Sequence, residues 1–456
     1  MLLSFQIKNY KSFKNETTFS MVPAPKQKGL DYSIQSKTIA GKTYKALSSA
    51  VIYGPNASGK TNLIGAMDTM KEIILRGNIR NANDGTLNYA AAMLELIPFR
   101  SQSDVPTMFS ITFIENGLLV EYTLSINLGT FMDRSYSRYI VDEILTVNNN
   151  VVFQRSDVHT SVTDQDENNE ATANRLTVDI SKINSKYLNP KIRSNMDSAV
   201  EIAKNGLNPD ELFLTNGFKN IFAKNLVSLI LNWFEQKLTV IYRADALRTI
   251  REISDPQKFY VERTLTEAAK EFGIHSNALG YVSVKDSDNP VLSSIIDDGE
   301  TKTVLPAEIY ESYGTVRFVN EFPLIIGTLL NGGTLIMDEF DASIHPMALM
   351  NIINIFHNDD INIHHAQLIF NTHNPIFLNA NLFRRDEIKF VERDDQTHES
   401  EHYSLSDFKT SGEHGVRKGE DYMKNYFVSQ YGAIKDVDFS SILESIMHEE
   451  GTDRGN

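Results

Sequence analysis

The sequence predicts an α/β fold: a largely parallel sheet joined to an antiparallel β subdomain and a compact helical insertion, with no long coiled coil. Three observations carry this expectation. The apolar run Ala50-Val51-Ile52-Tyr53 leads into a glycine-bounded loop and then a helical pattern beginning near Lys60, a strand–loop–helix unit. Farther along, TLIMDEFD at 334–341 and AQLIFNTHNP at 366–375 are apolar strands separated by a helix that opens near Pro346, and strands alternating with helices imply parallel pairing. Between these regions, residues 107 to 155 read as a meander of strands joined by polar turns such as ENG and NNN.

The remaining elements follow in chain order. Residues 2 to 22 offer two strand-like runs, LLSFQI and TTFSMV, across the turn KNYKSFKN. Residues 156 to 176 are polar, acidic and without apolar period, so an exposed or mobile excursion with no core is expected there. From about 180 to 275 the pattern turns helical: Phe218, Ile221, Phe222, Leu226, Leu229, Ile230, Trp233, Phe234 and Leu238 recur mostly at three- and four-residue steps. Heptads are not sustained, which excludes a long coiled-coil arm. A strand at LGYVSVKD precedes ESYGTVRFVNEFPLIIGTLLNGG, a polar turn and a helix ended by paired glycines. The last 20 residues are acidic and expected to fray. These patterns divide the chain into 1–185, an N-terminal lobe; 186–278, the helical insertion; and 279–456, a C-terminal lobe.

The 456 residues hold 44 Lys plus Arg against 59 Asp plus Glu, a net charge of −15, which excludes a nucleic-acid-coating basic surface. A hydrophobic share of 41% supplies a substantial core. With no cysteine, disulfides, thiol nucleophiles and cysteine-ligated metals are excluded, and chemistry falls to oxygen and nitrogen groups. The start alternates apolar and polar residues and meets Lys8, Lys11 and Lys14, unlike a signal peptide, and no apolar window is long enough to span a bilayer. A cytoplasmic protein with no membrane partner is expected.

Four motifs carry chemistry. Gly54-Pro55-Asn56-Ala57-Ser58-Gly59-Lys60-Thr61 satisfies the phosphate-loop pattern in its strand-to-helix context. Its glycines let successive amides face phosphate oxygens, Lys60 reaches the terminal phosphates and Thr61 places a hydroxyl on Mg²⁺. Asp338 and Glu339 end an apolar strand, and paired carboxylates at a buried strand end call for a cation. Asp338 is the metal-side acid and Glu339 the base or orienter of the attacking water. Ser312 and Gly314, in Glu311-Ser312-Tyr313-Gly314-Thr315, form either a second anion site or a simple N-cap. His373, in Asn371-Thr372-His373-Asn374-Pro375, can hydrogen-bond a γ-phosphate or the attacking water. Asp341 and His345, in the turn between the last two motifs, either contact a second protomer or cap a helix.

The order IKNYKSF, GPNASGKTN, ESYGT, LIMDEFD, NTHNP resembles the ABC/SMC/RecF-type ATPase head over nearly the whole chain. It is most similar to bacterial AAA-type antiphage-defence ATPases of the RloA and AbiL kind, with AriA and PtuA more distant. IPFR at 97–100, PDELFLT at 209–215 and the tail from YSLSDFK to Tyr431-Gly432-Ala433 share the look of that group. The resemblance implies an ABC-type, P-loop NTPase head that hydrolyses ATP with Mg²⁺. It implies a homodimer or higher even-numbered oligomer, each nucleotide held between one protomer's phosphate loop and the other's Ser312–Gly314 turn. Glu339 is then the catalytic acid and His373 the switch. The sequence departs from the pattern in lacking a clear Q-loop glutamine, for which Gln102 is the candidate, and in lacking the SGG core of longer signatures. Relatives of this type work beside a separately encoded effector, often a TOPRIM-type nuclease, in abortive infection. The alternative is a RecF/SMC-like DNA-binding ATPase in DNA repair, which the net charge opposes; a transporter's ATPase subunit fits the antiparallel insertion and short signature poorly.

Overall fold

A parallel strand covered on both faces needs apolar side chains at successive positions, not alternate ones. Three segments meet that requirement, Leu335–Met337, Leu368–Phe370 and Ala50–Tyr53. In the computed structural model, which describes residues 1–25, 27, 29–80, 94–102, 105–129, 138–158, 173–192, 194–242, 260–261, 263–271, 273, 276–282, 291–342, 344–409, 416, 420–435, 438–440 and 443–444, they form the centre of one six-stranded sheet. Its order is Leu238–Ile241, Thr334–Met337, Gln367–Asn371, Ser49–Tyr53, Ile388–Arg393 and Ser400–Ser404. Pairing is parallel except for the last strand, which returns antiparallel along the edge. Ala50 and Ile52 enter one core, with Ile336 and Ile369; Val51 and Tyr53 enter another, with Leu335, Met337, Leu368 and Phe370. The period-2 alternation of a strand thus makes this sheet the partition between two cores.

The first core is shared with a seven-stranded antiparallel sheet ordered Ala173–Val178, Asn150–Val158, Tyr139–Val147, Leu118–Asn127, Thr107–Glu115, Leu2–Lys8 and Thr17–Ser20. The helix Lys60–Arg76 lays Leu63, Ile64, Met67, Met70, Ile73 and Ile74 into it. The helical region closes the other end. Leu226, Val227, Ile230, Trp233 and Phe234 are buried there, and Trp233 stacks on Phe113 with ring centroids 3.8 Å apart. Glu143, fully buried, accepts from Tyr122 Oη at 2.9 Å and from the amides of Phe213 and Leu214 at 2.6 and 2.8 Å. These bonds tie the start of that helical region to the sheet. The second core is completed by the helices Tyr313–Asn331 and Pro346–Phe356. Tyr313–Asn331, at 19 residues, is the longest helix among the described residues, and none of their helices is long and apolar enough to cross a membrane.

The structure corrects two expectations and adds strands that the sequence does not mark. The polar stretch 156–176 is not coreless throughout: Ala173–Val178 pairs antiparallel with Asn150–Val158, and Leu176 is buried. An edge strand needs few apolar residues, so its composition hides it; residues 159–172 lie outside the described residues. Leu238 does not continue the helical face but starts the strand Leu238–Ile241, where Thr239, Val240 and Ile241 favour extension. Residues 260 to 306 hold a four-stranded sheet of Tyr260–Val261, Ala278–Val282, Val291–Asp297 and Lys302–Pro306, of which only the second strand was legible. The hairpin Ile34–Ile39 with Lys42–Leu47 and the strand pair Ile388–Arg393 with Ser400–Ser404 were likewise unmarked by strong alternation. Much of the acidic C-terminal segment lies outside the described residues.

The two large sheets meet at Gln367. Its Oε1 accepts from Leu2 N at 2.6 Å and Thr334 Oγ1 at 3.1 Å, and its Nε2 donates to Leu2 O at 3.0 Å and Leu47 O at 2.9 Å. Replacing Gln367 with Leu leaves buried backbone groups unpaired, and a loss of about 3 kcal/mol is expected. It is to be read as a lower urea midpoint at unchanged m-value. An unchanged midpoint would show that this bridge contributes nothing.

Candidate functional site

The chain leaves the sheet at Tyr53 into a loop with no room for side chains at its two ends. A Cβ at Gly54 would lie 2.2 Å from Val391 O, and one at Gly59 would lie 2.6 Å from Ser400 Oγ and 2.9 Å from Ser12 Oγ. Gly59 (φ 114°) and Ala57 (φ 63°) take left-handed conformations that turn backbone amides toward one concavity, the geometry of an anion nest. The helix Lys60–Arg76 starts there without a side-chain cap, leaving its positive end to the same concavity. Ser58 Oγ is buried in the loop without a hydrogen-bond partner. Lys60 is buried, and its Nζ donates to Gly54 O at 2.8 Å and Pro55 O at 2.9 Å. Burial lowers the Lys60 ammonium to about 8, against the opposing pull of Asp338 and Glu339.

Beside the loop, one polar network joins four elements. Thr61 Oγ1 donates to Asp338 Oδ1 at 3.2 Å, and Asn371 Nδ2 donates to the same oxygen. The Asn371 Oδ1 accepts from Glu339 N at 2.6 Å, and Arg317 Nη2 donates to Glu339 O at 2.6 Å. Arg317 Nε in turn donates to the buried Glu321 Oε1 at 2.8 Å. Burial pushes the Asp338 carboxyl up, opposed by its bonds from Asn371 and Thr61. The expectation that both acids are buried is corrected: Asp338 is buried but Glu339 is exposed, because Glu339 takes φ 50° and turns the chain out of the strand.

The loop and network fit a phosphate chain and a hard cation. Ser58 Oγ and the uncapped amides want an anion, and Asp338, raised by burial, wants a cation. Among the described residues no three His, Asp or Glu side chains form a metal cage. Thr61 and Asp338 thus suit Mg²⁺ completed by water and phosphate oxygens, the way this ion is usually held.

The other expected residues fall around this centre. Ser312 caps the helix Tyr313–Asn331, accepting from Thr315 N at 3.1 Å, so the capping role exists; its side chain is exposed and Gly314 lies in the helix's first turn. That helix also carries Arg317, so the Ser312 turn and the Glu339 carbonyl are connected through one rigid element. His373 is exposed two residues beyond Asn371; partial desolvation and the Lys60 charge push its imidazole down. His345 caps Pro346–Phe356 through Nδ1, accepting from Met347 N at 3.3 Å, and Asp341 O accepts from Ile344 N at 3.3 Å. Gln102 donates its backbone N–H to Phe99 O at 3.0 Å and keeps Oε1 buried without a partner; no hydrogen bond joins it to Thr61 or Asp338 among the described residues. Pro55 and Asn56 complete the loop between Gly54 and Ala57.

Sequence reasoning missed the supports. Ser400 Oγ donates to Ser58 O at 2.6 Å, Ser400 N to Ser12 O at 2.7 Å, and Asn62 Nδ2 to Ser12 Oγ at 2.8 Å. Asn371 and Arg317 escaped as well. Asn371 had a readable signal, a polar residue directly after three apolar ones of a buried strand; Ser12, Ser400 and Arg317 had none.

A family model described as "AAA domain, putative AbiEii toxin, Type IV TA system" matches residues 49–379. No curated protein matches the chain. Among solved structures, the SMC head domain from Thermotoga maritima aligns at 12% identity over 88% of this chain and 98% of that one, with a TM-score of 0.33, too low to define the fold.

Because the free Lys60 ammonium titrates at about 8, binding of a polyphosphate above that pH must carry a proton onto Lys60. Affinity for ATP, followed with a fluorescent analogue from pH 7 to pH 9.5, is expected to fall toward about tenfold per unit above pH 8. Lys60→Arg, charged throughout this range, is expected to remove that slope. A pH-independent wild-type affinity would contradict the assignment.

Proposed function

The chain belongs to this AAA-domain family, and from that premise we propose that it is an ATP-hydrolysing sensor or regulatory subunit of an antiphage abortive-infection system. It dimerises through ATP and controls a separate effector, for which a TOPRIM-type nuclease is the candidate. The observation that carries the ATPase part is the network running from Thr61 through Asp338 and Asn371 to Glu339 at the mouth of the glycine loop. It sets a metal-side acid and an exposed carboxylate side by side, one buried and one free to meet water. The family's description, naming a toxin of a type IV system, accords with a defence setting. The RloA- and AbiL-like resemblance of the motif order supports the same reading.

In this proposal the loop amides, Ser58 Oγ and Lys60 bind the phosphates. Lys60 exchanges its bonds to Gly54 O and Pro55 O for phosphate oxygens. Thr61 and Asp338 would hold Mg²⁺, which when bound neutralises charge on the transferring phosphoryl group. Glu339 orients the attacking water and takes its proton; its backbone is held at both ends, by Asn371 on the N–H and Arg317 on the carbonyl, so the exposed side chain starts from a fixed root. His373, with its lowered pKa, is a neutral imidazole at pH 7 that bonds the terminal phosphate or that water. A second copy supplies Ser312 and Gly314 to the terminal phosphate, the exposed cap of a helix start being suited to an anion.

Lys60→Ala is expected to abolish ATP binding. Glu339→Gln is expected to bind ATP normally, to hydrolyse it about a hundredfold more slowly or less, and to elute as an ATP-dependent dimer in size-exclusion chromatography with light scattering. Wild-type turnover in Glu339→Gln would refute the role of Glu339, and a monomer in saturating ATP would refute the shared site.

A further inference from the structure

Tyr53 is the last residue of the strand that leads into the phosphate loop, and its side chain points away from the loop's own chemistry into the second core. The ring is 1% exposed and packs against Phe390 and Tyr426, with centroids 6.2 and 5.8 Å away. Phenylalanine would satisfy that packing. A hydroxyl carried into such a core is costly unless it finds a partner. The partner is the Asn374 carbonyl, to which Tyr53 Oη donates at 3.0 Å. Burial, with the Asp341 charge adding to it, holds the phenol well above its ordinary value, so Oη keeps the proton it donates.

Asn374 directly follows His373, and the bond completes a frame around that exposed residue. On the N-terminal side, the buried Thr372 gives its N–H to Ile52 O at 3.2 Å, carrying the sheet pairing one residue past the end of Gln367–Asn371. On the C-terminal side, Asn374 N donates to Thr372 Oγ1 at 2.9 Å and Asn374 Oδ1 accepts from Ile376 N at 3.1 Å. Those two bonds lie within the turn, whereas Tyr53 Oη reaches it from the neighbouring strand. The next residue along that strand is Gly54, whose carbonyl accepts from Lys60 Nζ at 2.8 Å. One tyrosine is thus rooted in the phosphate loop by its backbone and in the His373 turn by its hydroxyl.

We propose that Tyr53 is a positioning residue for His373: its hydroxyl fixes the turn at Asn374 and so holds the imidazole where it meets the terminal phosphate or the attacking water. This rests on the role given to His373 under the proposed function. Tyr53→Phe fills the same space but takes this donor from the Asn374 carbonyl, so the turn loses its tie to the phosphate-loop strand while the loop keeps its glycines, Lys60 and Thr61.

The test is a double-mutant cycle in the full chain, with Tyr53→Phe, His373→Ala and the two combined. Single-turnover hydrolysis of ATP with Mg²⁺ is read separately from affinity for a fluorescent ATP analogue. Tyr53→Phe is expected to slow hydrolysis about tenfold and to leave affinity at the wild-type value. His373→Ala is expected to slow hydrolysis about a hundredfold, and adding Tyr53→Phe to it is expected to change nothing further. Wild-type turnover in Tyr53→Phe would overturn the proposal. So would an undiminished effect of Tyr53→Phe in the His373→Ala background, which would show that the hydroxyl acts elsewhere. A loss of affinity in Tyr53→Phe would overturn it too, by placing the effect on the phosphate loop. Wild-type turnover in His373→Ala would instead sink the reading of His373, and this proposal with it.

Discussion

Asn371 ends the strand that separates the phosphate-loop strand from the acidic strand, and its carboxamide faces both ways along that boundary. Its NH₂ meets the Asp338 carboxylate and its oxygen meets the Glu339 amide, so one planar group sets the side chain of the first acid and the backbone of the second. A residue in left-handed conformation costs on the order of 1–2 kcal/mol for an L side chain. Glu339 holds that conformation because its N–H and C=O are both engaged from outside. The carboxylate that leaves the protein surface and the one that stays beneath it are separated by this constraint, not by their residue type.

That arrangement depends on a sheet that cannot slip. Each central strand sends alternate residues to two different cores, and a one-residue shift in pairing would exchange them and take Asn371 out of register with Asp338. Gln367, four residues earlier on the same strand, pins the other end by bridging to Leu2 and Leu47. Two buried carboxamides on one strand thus supply polar specificity that the surrounding aliphatic side chains lack.

Much of this was legible in the residues themselves. The phosphate loop, the acidic strand, the strand at 367–370 and the meander from 107 to 155 could be read because a two-residue alternation, a run of successive apolar residues, or a glycine spacing has a local cause. The short paired strands of 260–306 and the edge strand Ala173–Val178 could not, since little of their sequence needs to be apolar when one face is wet. Within the site, Gly54, Lys60, Thr61 and Asp338 were found by pattern. Arg317, Ser12 and Ser400 were not, because what they touch is set by packing between segments far apart along the chain. The differing burial of Asp338 and Glu339 was also invisible, as it follows from a single backbone torsion.

The walls of the glycine loop come from far away: Ser12 before it, Val391 and Ser400 more than 300 positions after it. During synthesis, which proceeds from the N-terminus, the loop at 54–61 emerges long before its floor does. Loop closure over so many residues is entropically costly and slow, which places completion of the cradle among the late events of folding. A ribosome-bound nascent chain therefore carries the recognisable glycine motif without the cavity that motif describes, and competence for triphosphate arrives only as the C-terminal strands dock.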